Sequence, residues 1–354
     1  RDWEEGERLV WQSTTEALHK IPPLSPSFPS FFQPGNSPPS SGGGIKVEDW
    51  GREDGKFKPL HFELLRGEYR HGRNVGGNGK YCSWDGSGGK GVSFAFGIVS
   101  AVGNWERRQL IRDTWIGHNE LREFQDSGRR WEYVFILGLS PTSTIPQSIL
   151  DEMNAHHDIL IVNVVDSYKN MIHKVVAGLR WGKGCGAEYV GRVNDDVYLR
   201  FGAVLNTLFN DVVPSNVYAG WFLDDVLVLR PEDETAVKGT EAYTKSSMIE
   251  REVYPSDVYP VFAQGNGYII SGNVVDGLTD WIVGRRERFA DDIMVGLYMD
   301  GVMPTMVLIP TDFKSDNGGF GCSREAVWHF DVGMEDMRRL WENDIGKGKG
   351  QCDG

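Results

Sequence analysis

The sequence predicts an α/β fold: a mostly parallel central sheet with helices on both faces, preceded by a flexible Pro/Gly/Ser-rich segment. Four apolar runs at 92–102, 131–138, 156–165 and 189–193 alternate with stretches of helical spacing, the βαβα order of a parallel sheet. The runs are almost continuously apolar, as strands are when both of their faces are covered. The fourth run also ends abruptly in three polar side chains, Asn194, Asp195 and Asp196, and open α/β sheets bind ligands beyond the carboxyl ends of their strands.

Residues 22–44 hold seven Pro, four Gly and six Ser among 23 positions, too little apolar surface to offset chain entropy. Residues 1–90 are therefore expected to be a flexible, stem-like segment, 91–345 the folded domain and 346–354 a flexible tail. After the first strand, residues 105–115 read as a helix with Leu110, Ile111 and Trp115 toward the sheet and Arg108 and Arg112 one turn apart. Spacing alone gives these arginines a solvated face, their commoner setting. A helix is expected over 145–154. His156 and His157 open the third strand without carboxylate partners at a ligating spacing, so they read as structural. The Asp166 to Asn170 stretch is expected to cap a helix running through Lys174 to about Trp181.

A helix over 201–209 and a strand over 216–222 follow, and the polar stretch 230–257 has no clear period. Between Tyr259 and Ser271, Gly265 and Gly267 flank Asn266, a spacing that fits a tight turn or a close backbone approach. Asp291 and Asp292 open an apolar helical run, and His329 lies in a short aromatic segment before a helix over 334–341.

A formal net charge of −13 excludes a non-specific grip on nucleic acid or anionic lipid, both of which need a positive field. The four cysteines, Cys82, Cys185, Cys322 and Cys352, have no zinc spacing, and two of them are candidates to pair in an oxidising compartment. No apolar run reaches the roughly 18–20 residues of a membrane span. The chain opens at Arg1 rather than Met, and the expectation is that a membrane anchor is absent from it. The Asn-Asp-Asp triplet has two readings: turn or cap chemistry, or hard oxygen ligands for Mn²⁺ or Mg²⁺.

Six blocks in this order resemble the β-1,3-galactosyltransferase family, inverting glycosyltransferases of GT-A fold that use UDP-sugars. They are Arg107 to Trp115, Asp158-Ile-Leu, Asp166-Ser-Tyr-Lys-Asn170 with Lys174, Tyr189 to Tyr198, Tyr259 to Ser271, and Asp291-Asp-Ile-Met-Val-Gly296. The chain departs from the family's three consecutive aspartates by carrying Asn194 first. The resemblance implies a metal, Mn²⁺ or Mg²⁺, on Asp196 and His329, with Asp292 as general base and Asp291 orienting the acceptor. It further implies donor-nucleotide contacts from Arg108, Arg112, Asp158, Lys174 and Asp195, and an acceptor side lined by Tyr259, Gly265 and Gly267. The implied function moves a hexose, galactose or N-acetylhexosamine, from a UDP-sugar to the 3-hydroxyl of an acceptor glycan in the Golgi lumen, forming a β-1,3 linkage. Two alternatives stay open: an inactive glycan-binding or sugar-nucleotide-binding relative, and a metal-dependent phosphohydrolase, which calls for more clustered ligands than the sequence assembles.

Overall fold

Strand β1 (Phe94–Val99) is the axis of the fold, because its two rows of side chains sort the helices onto opposite faces. The computed structural model describes residues 92–117, 131–140, 145–200, 216–231, 248–283, 289–302, 307–310, 313–315 and 328–344, all within one compact unit. The expected stem at 1–90, helix at 201–209 and tail at 346–354 lie outside the described residues.

The main sheet joins β1 to β2 (Trp131–Leu139), β3 (Ile159–Val165), β4 (Tyr189–Asn194), β6 (Val217–Leu223), β7 (Phe262–Ser271) and β8 (Val307–Pro310), in the order β3-β2-β1-β4-β7-β6-β8. Every neighbouring pair is parallel except those made by β7, which runs against both β4 and β6. A smaller sheet orders β5 (Tyr198–Leu199), β10 (Trp328–Phe330) and β9 (Phe313–Ser315). The expected mostly parallel α/β class is what the chain forms.

Phe94, Phe96 and Ile98 face a core shared with helices α1 (Trp105–Asp113), α2 (Gln147–His156) and α6 (Met334–Asp344). Each buried aromatic or aliphatic side chain there contributes on the order of 1.5–3 kcal/mol. Ala95 and Gly97 face α3 (Met171–Gly184) instead. A Cβ on Gly178 of α3 would fall 2.3 Å from Ile136 Cδ1 and 3.6 Å from Gly97 Cα, so the two glycines let helix and sheet meet backbone to backbone. Helices α4 (Val275–Val283) and α5 (Asp291–Val302) extend this second layer.

Three local expectations are corrected. His156 ends α2 and His157 takes its left-handed C-cap at φ 57°, so β3 starts only at Ile159. Asn170 occupies the N-cap position of α3 as expected, but its side chain makes no capping hydrogen bond and its amide donates to the Val165 carbonyl instead. Gly265 and Gly267 form no turn but continue through β7, where Gly267 pairs with Val193.

Candidate functional site

The strand order places a switch point between β1 and β4, whose following segments leave the sheet in opposite directions. A cavity of about 610 Å³ lies there, walled by Ser100 to Asn104 after β1, by Lys174, and by Asn194, Asp195 and Asp196 at the end of β4. The acidic triplet therefore lines a pocket. Asp195 Oδ2 accepts from Asn104 Nδ2 at 2.9 Å, tying the two walls together, while Asn194 Nδ2 donates to Asn266 Oδ1 at 2.9 Å. Asp196 differs from both: its buried Oδ1 has no hydrogen-bond partner. Burial, then the adjacent Asp195, push its carboxyl above the usual carboxylate range, with Arg107 acting in the opposite direction.

An orphaned carboxylate oxygen on a pocket wall is a fitting donor for a hard divalent cation. His329 stands behind it: β10 pairs with β5, placing His329 opposite Tyr198, and Val332 N donates to Asp196 O at 2.8 Å. His329 is buried, with its ring edge-on to that of Tyr198 at 6.1 Å. Among the described residues no three His, Cys, Asp or Glu side chains gather.

Lys174 lines the pocket and donates to the Ser100 carbonyl at 2.9 Å and to Asp166 Oδ1 at 2.8 Å. Burial lowers the pKa of its ammonium, and Asp166 works against that shift. Arg108, Arg112 and Asp158 correct the expectation of nucleotide contacts. Arg108 is fully buried and forks onto Glu152, Nε to Oε1 at 2.9 Å and Nη2 to Oε2 at 2.7 Å, while Nη1 donates to Ser100 Oγ and Ala101 O. Arg112 closes a second fork on Asp158, with both contacts at 2.8 Å, and Tyr133 Oη donates to the same carboxylate. These groups already have partners, and none of the three lines the pocket. They brace the β1 loop from behind.

On the far side of β7, Asp291 and Asp292 open α5. Asp292 Oδ2 accepts from Gly265 N at 3.0 Å and Oδ1 from Ile293 N at 2.9 Å. Gly265, expected on the acceptor side, meets this carboxylate: a Cβ there would stand 2.9 Å from Asp292 Oδ2, and the missing side chain is what seats it. Gly267, paired in the ladder, and Tyr259, packed among Tyr254, Phe262 and Phe289, are buried. Burial first, then the charge of Asp291, raise Asp292 to about 6, against the opposing pull of Arg192 and the two backbone N–H groups. Asp291 itself is buried and ion-paired to Arg192.

Because β4 and β7 are antiparallel, the end of β4 lies beside the start of β7, and the Asn194–Asn266 bond marks that junction. Tyr168 joins the two sides: its exposed ring lines the pocket, and the charges of Asp292 and Asp291 reach its hydroxyl. Sequence reading missed Tyr168, Asn104 and Arg192. Arg192 carried a signal, a cation inside an apolar strand.

Fold and site together define an α/β protein with a pocket at the sheet's switch point, Asp195 and Asp196 on its wall, and a second carboxylate pair, Asp291 and Asp292, held against β7. A galactosyltransferase family profile matches residues 106–305, more than half of the 354-residue chain, and the chain belongs to that family. Human beta-1,3-galactosyltransferase 2 is 27% identical over 222 residues, 61% of this chain and 49% of the relative. Mouse beta-1,3-galactosyltransferase 1 is 26% identical over 275 residues, 73% of this chain and 76% of the relative. Hydroxyproline O-galactosyltransferase GALT2 of Arabidopsis thaliana is 24% identical over 263 residues, 72% of this chain and 35% of the relative. The chain spans about half the length of the human relative and about a third of the Arabidopsis one.

Proposed function

We propose that this chain is an inverting, metal-dependent hexosyltransferase that moves galactose or an N-acetylhexosamine from a UDP-sugar to the 3-hydroxyl of an acceptor glycan, forming a β-1,3 linkage. One observation carries the reading. Asp292, a carboxylate whose pKa is raised into the range useful for proton transfer, is hydrogen-bonded to the start of β7, beside the strand end that bears Asp196. Family membership and the names of the relatives support the galactosyl class.

In this reading Asp195 and Lys174 face the donor nucleotide, and Asp196 with His329 holds Mn²⁺ or Mg²⁺. A divalent ion there supplies Lewis-acid neutralisation of the departing diphosphate. Asp292 takes the proton from the acceptor hydroxyl, whose oxygen attacks the anomeric carbon from the face opposite the leaving UDP and inverts it. Gly265 and Ile293 N–H groups hold the base in position. Tyr168 supplies an aromatic face beside the sugar. We assign the protein to the Golgi lumen, where a disulfide such as that of Cys185, whose partner lies outside the described residues, is stable.

The test is UDP release from a panel of UDP-sugars with Mn²⁺ and simple glycoside acceptors, comparing the wild type with Asp196→Ala and Asp292→Asn. One donor turning over, only with metal and in neither variant, is the expected result. Binding of UDP without turnover of any pair would overturn the transferase reading in favour of an inactive relative.

A further inference from the structure

A charged side chain in the middle of a central strand costs free energy unless it is well paired. Arg192 is such a side chain, on β4 between β1 and β7 and 4% exposed. Among the described residues its ion pair is with Asp291, Nη2 to Oδ2 at 3.2 Å. That contact is out of line for a hydrogen bond, and Nε and Nη1 have no hydrogen-bond partner. The hydroxyl of Tyr268, its register partner on β7, is also buried without one. Arg108, by contrast, uses Nε, Nη1 and Nη2 in good hydrogen bonds. A cation placed only for stability would be satisfied in that way; Arg192 is placed for its charge.

We propose that Arg192 is a positioning residue that divides the labour of two adjacent carboxylates: it engages Asp291 and thereby leaves Asp292 as the one that takes the acceptor's proton. This deepens the transferase reading and rests on it. In the step served, the acceptor O–H bond breaks, its proton goes to an Asp292 oxygen, and the acceptor oxygen bonds to the anomeric carbon. The bond from that carbon to the diphosphate oxygen breaks, and its electron pair leaves with UDP.

The groups that act on Asp292 are few. Asp291 precedes it on α5 and Arg192 reaches in from β4. The hydroxyls of Tyr268 on β7, Tyr218 on β6, Tyr259 before β7 and Tyr168 before α3 sense its charge. Lys174 on α3 faces Arg192 rather than Asp292. Arg192 is the cation whose field reaches Asp292 directly, opposing both burial and Asp291.

Carboxyl-carbon NMR of aspartate-labelled protein, with Asp292→Asn assigning the resonance, reads the Asp292 titration without turnover. Arg192→Met is expected to move its midpoint up by about one pH unit, and Arg192→Lys to restore it. If Arg192→Met does not fold, Arg192→Met/Asp291→Asn read against Asp291→Asn makes the same comparison with no buried charge stranded. A midpoint unmoved in both comparisons overturns the proposal. In turnover, the acid limb of the pH profile is expected to rise with the midpoint in Arg192→Met, while the KM for donor stays. Turnover whose limb does not shift leaves the transferase reading intact and ends this one. A shifted midpoint in a protein that turns over no donor upholds the field of Arg192 on Asp292 but overturns the transferase reading and, with it, the proton transfer assigned to Asp292.

Discussion

Buried arginines stand on opposite faces of the same sheet, and they are bonded in different ways. On the α1 face, Arg108 and Arg112 meet Glu152 and Asp158 in a network of forked hydrogen bonds. On the α3 face, Arg192 meets Asp291 beside Asp292 with nitrogens and an oxygen left unpaired. The network joins α1, α2 and Asp158, the residue before β3. The unsatisfied group keeps charges under tension beside Asp292, the carboxylate proposed to take the acceptor's proton. Saturation marks the scaffold, and its lack marks the site.

The sharpest way to break this contrast is Asp292→Asn, which should lower kcat by about 10²–10⁴ while UDP affinity, measured by calorimetry, holds. Next comes Arg108→Met, which removes its buried hydrogen bonds and leaves Glu152 with Arg112 alone, and should cost about 3 kcal/mol in thermal or urea unfolding. Arg192→Met strands the buried Asp291 and should cost about as much, whereas Arg192→Met/Asp291→Asn, which strands no charge and gives up no aligned hydrogen bond, should cost clearly less; a double variant as costly as Arg108→Met would erase the distinction. The third effect has the opposite sign. Asp292 has its folded pKa raised above the unfolded value, so below about pH 4 both states are protonated and nothing differs. As pH climbs to about 6 the unfolded chain ionises first and the native state loses ground. Asp292→Asn should therefore stabilise the fold at pH 8, on the order of 2 kcal/mol, and leave it unchanged near pH 4. The smallest effect is that of Gly265→Ala. Its methyl group would displace the Asp292 carboxylate by a few tenths of an ångström, and we expect about a tenfold loss of kcat with donor KM unchanged.

The sheet was legible because a parallel strand covered on both faces leaves an unmistakable apolar run, as at Phe94–Val99 and Tyr189–Asn194. The pocket edge was legible too, since Asn194, Asp195 and Asp196 stop such a run. The partners of side chains were not. Arg108 and Arg112 share a motif with an anion-binding look, yet Glu152, forty residues or more away, decides what they hold, and nothing local announces it. Gly265 and Gly267 carry identical local signals, and only the ladder tells a glycine that seats a carboxylate from one that pairs with Val193.

That ladder has a further consequence. The pocket-edge acids follow β4, and the carboxylate proposed as base, Asp292 of α5, is hydrogen-bonded to the adjacent antiparallel strand β7, so the gap between them is tied to the rungs of a rigid backbone grid. The grid acts as a calliper with a fixed jaw. New acceptor preferences can be carved into the surrounding loops without resetting that gap, whereas a one-residue slip of β7 would turn Asn266 away from Asn194 and carry off the amide that seats Asp292.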